Sequence, residues 1–350
     1  MGTVVGSRQP RPRIVRSPGV LLVGAGVLAG AALTGFFLNT AAFSDADGFA
    51  AAGRVLLSSN WRHTYANPWL QAGPFEQLIC LLGRTLGGTA LGEPAALNLI
   101  GAAALMLVAR SVLGRNWQAL LYVGGLATLV GVTSMLYEVG HPSELYIGLL
   151  WILAARAARR DQAVAAAVVL GLSAGFETWG LLGAPVLLLL PSVRRTAVAG
   201  LLAGAAAALI YAPFALGGDF HMFDLRWRSE VGLDALLFGR GSAFTWQMRL
   251  VEAVLVVSLG SVVALLLRKR TAACIWIVPA AASLVRIVLD PVRYPYYWDP
   301  AIVLLLIGTA PWITAPRAAA EHLQRRLAAA RRAAPPAPVA VGKTALRDAR

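Results

Sequence analysis

The chain has 350 residues and a formal net charge of +14, yet only 14% of its residues are charged and 58% are hydrophobic. A mean hydropathy of +0.66 excludes an ordinary soluble domain, because the apolar residues are concentrated in long runs rather than dispersed through a core. Two cysteines, Cys80 and Cys274, provide no disulfide framework.

In chain order, Arg8, Arg11, Arg13 and Arg16 precede an apolar run from Gly19 to Phe43. That run is about as long as a full membrane span and no small-residue cleavage site clearly follows it, so it is predicted to be a retained helix. Next comes a polar stretch, Ser44 to Glu76, which opens with Asp45 and Asp47 and then places Phe49, Ala52, Leu56 and Leu57 at helical spacing. An amphipathic segment of this kind lies along a membrane surface. Pro74 to Leu86 is apolar but interrupted by Glu76 and Arg84, and is expected to be a second interfacial helix. The remaining spans are expected at Pro94–Val112, Trp117–Leu136, Ser143–Ala157, Gln162–Phe176, Thr178–Leu190, Thr196–Leu216, Trp246–Leu267, Ala272–Leu289 and Pro300–Ile313. The fold class is therefore an all-α polytopic helical bundle of about ten spans, with interfacial helices in its first outer loop.

The positive-inside rule sets the orientation. With the N-terminus inside, 22 of the 31 Lys and Arg residues fall on the inner side and 14 of the 17 carboxylates on the other. Residues 1–18 then form a basic cytoplasmic N-terminus and 19–316 the membrane domain, with outer loops at 44–93 and 217–245. Residues 317–350 form a basic cytoplasmic tail with a disordered Pro/Ala-rich end. Both termini are expected in the cytoplasm of a plasma-membrane protein. The basic inner face suits anionic lipid headgroups rather than nucleic acid.

Ser143–Ala157, Gln162–Phe176 and Thr178–Leu190 are shorter than the roughly 20 helical residues needed to cross a bilayer, so their outer ends should be sunk. Backbone and charge at that depth must line a protein or water cavity. Glu138, His141, Glu144 and Glu177 are cavity candidates on this ground, and Arg286, inside the ninth span, needs an internal partner, for which Glu177 is the candidate. Ser44 and Asp47 stand at a loose capping-box spacing, which favours a helix-capping role for Asp47.

Asp45-x-x-x-Phe49 with Leu56-Leu57, GHPSELYIGLLWILAARAARR, the hairpin AVVLGLSAGFETWGLLGAPVLLLLP and SLVRIVLDPVRYPYYWDP together resemble the GT-C glycosyltransferases, nearest to bacterial glycosyltransferase family 87. The resemblance runs from about Gly19 to Ile313. It implies a polyprenyl-phosphate-linked sugar donor, mannose before arabinofuranose, and transfer to a cell-envelope glycolipid or glycan on the outer face. It also implies a catalytic aspartate in the first outer loop, which the match places at Asp45, with Asp47 as the second candidate carboxylate. Many relatives carry a lysine at the hairpin tip where this chain has Glu177.

Such a transfer needs a base for the acceptor hydroxyl and cations for the departing phosphate. Arg286 and Arg293 are the expected phosphate contacts, and Tyr294, Tyr296, Tyr297 and Trp298 offer apolar faces with polar tips for sugar or isoprenoid. Cofactors are not expected. Asp45 and Asp47 could join Glu138 or His141 around a cation, but no helical His/Glu spacing demands a metal. Two other classes compete: a lipid or solute transporter, against which there is no convincing internal repeat, and a non-catalytic partner of an envelope synthase.

Overall fold

The computed structural model describes residues 18–37, 45–88, 92–132 and 141–314. Ser44, Glu138 and the two terminal segments, on which several expectations fall, lie outside the described residues. Among those described the chain is helical, with no strand beyond an isolated bridge between Arg228 and Ala243. The chain forms one large unit, Met1–Ala310, and a second, Pro311–Arg350, whose described residues are the last turn of the final helix.

The helices are α1 (Pro18–Phe37), α2 (Asp45–Leu56), α3 (Pro74–Gly87), α4 (Gly92–Leu113), α5 (Trp117–Leu129), α6 (Ser143–Arg159), α7 (Ala163–Ser173), α8 (Val193–Gly217), α9 (Leu233–Phe238), α10 (Trp246–Leu267), α11 (Cys274–Leu289) and α12 (Asp299–Thr314). Helices α1, α4, α8 and α10 are long and apolar enough to cross a membrane, and only 17–33% of each apolar stretch is buried. Leu22, Leu201, Leu209 and Leu250 stand well exposed on them. Apolar surface on that scale requires lipid, so the protein is a multi-pass membrane protein.

One expected span has a different geometry. Thr178–Leu189 is a 3₁₀ helix, not an α-helix, with Pro185 inside it. At about 2.0 Å rise per residue its 12 residues extend roughly 24 Å, against about 18 Å as an α-helix. The shortness read from the sequence is thus partly made up by stretching. Neighbouring side chains hold this extended turn: Trp151 Nε1 and Ser173 Oγ both donate to the Gly180 carbonyl, at 2.7 and 2.9 Å. Gly183 lies against the Trp151 indole, where a Cβ would clash. The surrounding core is built from Ile147, Trp151, Leu170, Val186 and Leu190, with Ala154, Ala155, Ala166, Ala167, Ala199 and Ala203 letting the helices approach closely.

The two expected interfacial helices are present. Helix α2 buries Ala46, Phe49, Ala50 and Gly53; of the face expected from the sequence only Phe49 is among them, while Ala52 and Leu56 are partly exposed and Leu57, past the helix end, is exposed. Helix α3 begins at Pro74, whose fixed φ suits a first turn. Its N-terminal backbone is tied to the tip of the α7/3₁₀ hairpin, since Gly73 N donates to Phe176 O at 2.5 Å and Phe75 N to Gly175 O at 2.8 Å. This pairing sets Glu76 beside Glu177.

Residues 218–245 are laced onto the segment after α2. Asp219 N donates to Arg62 O at 2.9 Å, His221 N to Tyr65 O at 2.9 Å, and Trp227 Nε1 to Gln71 Oε1 at 3.1 Å. On the far side Glu230 N reaches Pro291 O at 3.0 Å. The two loops, far apart in sequence, together roof the end of the bundle where α6, the long 3₁₀ helix and α10 begin and α11 ends.

Candidate functional site

Beneath that roof is a cavity of about 460 Å³, within the range of small-molecule sites. Asp45, in the first turn of α2, reaches its edge with the carboxylate 30% exposed. His141, just before α6, donates from Nε2 to Asp45 Oδ2 at 2.9 Å. The imidazole is fixed on both faces: it stacks on Tyr296 with centroids 4.7 Å apart and meets the ring of Phe49 edge-on at 5.1 Å.

Behind His141 stand two more carboxylates. Glu76 is fully buried and Glu177 mostly so, and their Oε1 atoms lie 3.8 and 3.7 Å from His141 Nδ1. Ser143 holds both, its N–H donating to Glu76 Oε1 at 3.3 Å and its hydroxyl to Glu177 Oε1 at 2.8 Å. Among the described residues, Glu76 Oε2 and His141 Nδ1 have no hydrogen-bond partner. Burial opposes the charge on His141, but Asp45, Glu177 and Glu76 outweigh it and raise the imidazole pKa to about 10. Burial and then the charge of Glu177 push Glu76 well above the ordinary carboxylate range. For Glu177 burial acts in the same direction, but His141, Arg286 and Ser143 overcome it and lower its pKa.

Arg286 does not pair with Glu177 as expected. Its Nη1 donates to both oxygens of Glu144, at 3.0 and 2.9 Å, with Asp290 3.7 Å from Nε. Trp179 and Tyr297 flank the guanidinium at 3.8 and 4.6 Å. The reason is geometric: packing of α6 against α11 brings Glu144 directly to Arg286, while Glu177 turns toward Ser143. Arg286 therefore lines the cavity as a fixed, already compensated charge, and Glu144 sits behind it.

Arg293 lies off the cavity, a departure from the expected phosphate contact. Its Nε and Nη2 donate to the Ile287 and Val288 carbonyls, each at 3.1 Å, satisfying acceptors at the end of α11. Asp47 also faces away: in the first turn of α2, it accepts from Arg84 Nη1 at 2.7 Å and ties α2 to α3. His141, Glu177, Tyr294, Tyr296 and Tyr297 do line the cavity, as expected; Trp298 does not.

Several lining groups were not singled out in the sequence. Arg249 and Glu252 stand one turn into the apolar helix α10, 3.5 Å apart, with Asp290 3.9 Å from the arginine. Charges three residues apart inside a membrane span were a readable signal. Arg226, Trp69, Gln71 and Trp227 come from the two loops, and only the folding of one loop onto the other reveals them. Arg226 is exposed to the cavity and makes no ion pair among the described residues.

No family model matches the chain, and no curated protein matches it. Among solved structures, it is similar to ArnT from Cupriavidus metallidurans, a crystal structure bound to undecaprenyl phosphate, with 18% sequence identity and a TM-score of 0.48. The match covers 89% of this chain and 63% of that one, so the chain spans less than two thirds of that protein's length.

Proposed function

We propose that the protein is a membrane glycosyltransferase that moves a sugar, mannose being the first choice, from a polyprenyl-phosphate donor to an envelope glycolipid or glycan. The observation that carries this reading is the placing of one accessible carboxylate, Asp45, at the edge of a cavity that also holds Arg226, Arg249 and Arg286. The motif set resembling the GT-C enzymes supports it from the sequence side.

Asp45 is the base in this account. The acceptor hydroxyl oxygen attacks the anomeric carbon, the bond from that carbon to the phosphate oxygen breaks, and the hydroxyl proton passes to Asp45. One displacement inverts the anomeric centre. The donor phosphodiester becomes a phosphate monoester, so negative charge grows on the leaving group and cations must meet it. Arg226 and Arg249 supply those contacts, since the charge of Arg286 is already matched by buried Glu144. His141 orients Asp45 through the Nε2 hydrogen bond. Trp69, Tyr294 and Tyr296 offer rings to sugar or isoprenoid.

In this reading the roofing loops face the outside and both termini the cytoplasm of the plasma membrane. Purified protein in liposomes, given labelled polyprenyl-phosphate-mannose or polyprenyl-phosphate-arabinofuranose with an envelope glycolipid extract, should release polyprenyl phosphate and label the acceptor. Intact donor under all these conditions would refute the assignment.

A further inference from the structure

A second groove, of about 310 Å³, lies away from the cavity, between α9 and the end of α11. Val231, Leu233 and Leu236 form one apolar wall and Val288 the other. Three charged side chains, Glu230, Arg240 and Arg293, share its lining. Among the described residues none of the three makes an ion pair, with one another or elsewhere. The Arg293 guanidinium is held by the Ile287 and Val288 carbonyls through Nε and Nη2, which leaves Nη1 for another acceptor.

The groove is preformed. Glu230 N and Val231 N both donate to the Pro291 carbonyl, at 3.0 and 3.2 Å, fixing the loop to the end of α11. Gly232 and Gly239 turn the chain into and out of α9 with φ of 97° and 91°, a region that side chains disfavour. With only 6 residues, α9 leaves its apolar side chains uncovered: Leu236 is 85% exposed, Leu237 66% and the facing Val288 55%. Leu284, one turn before Val288, is exposed as well, so the apolar surface continues from α9 down α11. Such a surface on a membrane protein sits among acyl chains, which puts its charged rim at headgroup level.

Two cations and one carboxylate held apart above an apolar surface match a ligand that carries a phosphate, an amine and acyl chains. We propose that this groove binds phosphatidylethanolamine from the leaflet on the roofed side. Arg240 and Nη1 of Arg293 meet the phosphate, Glu230 accepts from the primary ammonium, and the chains run along Leu236 and Val288. Phosphatidylcholine has no N–H to donate to Glu230 and phosphatidylglycerol has no cation for it, so the ethanolamine lipid is preferred. The site is separate from the cavity and does not depend on sugar transfer.

The test titrates full-length protein in non-ionic detergent with phosphatidylethanolamine, phosphatidylcholine or phosphatidylglycerol of matched chains, and counts bound lipids by native mass spectrometry. Wild type should bind one phosphatidylethanolamine roughly tenfold more tightly than phosphatidylcholine, the value of a charge-assisted hydrogen bond. Arg240→Gln and Arg293→Gln should each weaken that binding by a similar factor. Arg293→Gln also removes a cap from α11, so Arg240→Gln decides the matter if the other misfolds. Glu230→Gln should abolish the preference over phosphatidylcholine, and soluble phosphoethanolamine at the same concentration should not compete. Equal wild-type affinity for the two zwitterionic lipids, or unchanged phosphatidylethanolamine binding in folded Arg240→Gln or Glu230→Gln, would overturn the proposal. So would phosphatidylglycerol binding that matches phosphatidylethanolamine and falls equally in Arg240→Gln, or competition by the chain-free headgroup.

Discussion

Arg286 and Glu144 form the most deeply buried ion pair around the cavity, with one guanidinium nitrogen bridging both carboxylate oxygens at 3.0 and 2.9 Å and side chains only 5% and 1% exposed. Removing one partner leaves the other charge unmatched inside the protein, a cost of about 3–5 kcal/mol. Arg286→Gln should therefore lower the yield of folded protein in detergent and its melting temperature. Glu144→Gln should do the same, and the double variant should be less damaging than the two single effects added together.

Arg226 and Arg249 should behave differently. Arg226 makes no ion pair among the described residues, so Arg226→Gln should fold with a near wild-type melting temperature, whereas Arg249→Gln takes a cation from the buried carboxylates Glu252 and Asp290 and should lower it. Each should weaken binding of a polyprenyl-phosphate donor roughly tenfold to a hundredfold, the value of a charge-assisted hydrogen bond of about 1.5–3 kcal/mol. Equilibrium binding to each variant reads this directly, and unchanged affinity in both would remove them from the phosphate site.

Gly183 tests the stretched helix. A methyl group there meets the Trp151 indole, and the indole is also the donor that holds Gly180 O. Gly183→Ala should cost about 1–3 kcal/mol through overpacking, seen as a lower melting temperature. A neutral result would mean that Trp151 can move without loss.

These contacts show what the sequence could and could not carry. Long apolar runs identified the membrane-crossing helices, and amphipathic spacing identified α2, because both depend on local composition. Of the cavity-lining residues, His141 and Glu177 were singled out by their places near sunken helix ends, Asp45 by its position after the first span and the motif match, and Tyr296 by the aromatic stretch that follows α11. The 3₁₀ form of Thr178–Leu189 was not legible, since Gly and Leu fit either helix and the choice is made by Trp151 and Ser173 bonding to Gly180 O. Nor was Glu144 as the partner of Arg286, because packing of helices 142 residues apart in sequence decides it. Glu76 read only as an interruption of an apolar, interfacial segment, yet the hairpin tip docks on the N-terminus of α3 and Glu76 is buried.

The Asp47–Arg84 bridge lies at the surface, with side chains 47% and 36% exposed. Pairs of this kind contribute about 0–1 kcal/mol. Asp47→Asn should therefore leave the melting temperature within a few degrees of wild type and preserve transfer, checked by thermal unfolding and the donor-consumption assay side by side.

If the Asp45 carboxylate accepts the acceptor's proton, as proposed, Asp45→Asn is the decisive variant. Asparagine keeps the size of the side chain and still accepts a hydrogen bond from His141, so folding and donor binding should persist. Sugar transfer from the polyprenyl-phosphate donor should nevertheless fall by roughly a hundredfold or more in kcat, while Asp47→Asn stays near wild type. Transfer by Asp45→Asn at the wild-type rate, with donor bound normally, would contradict the account.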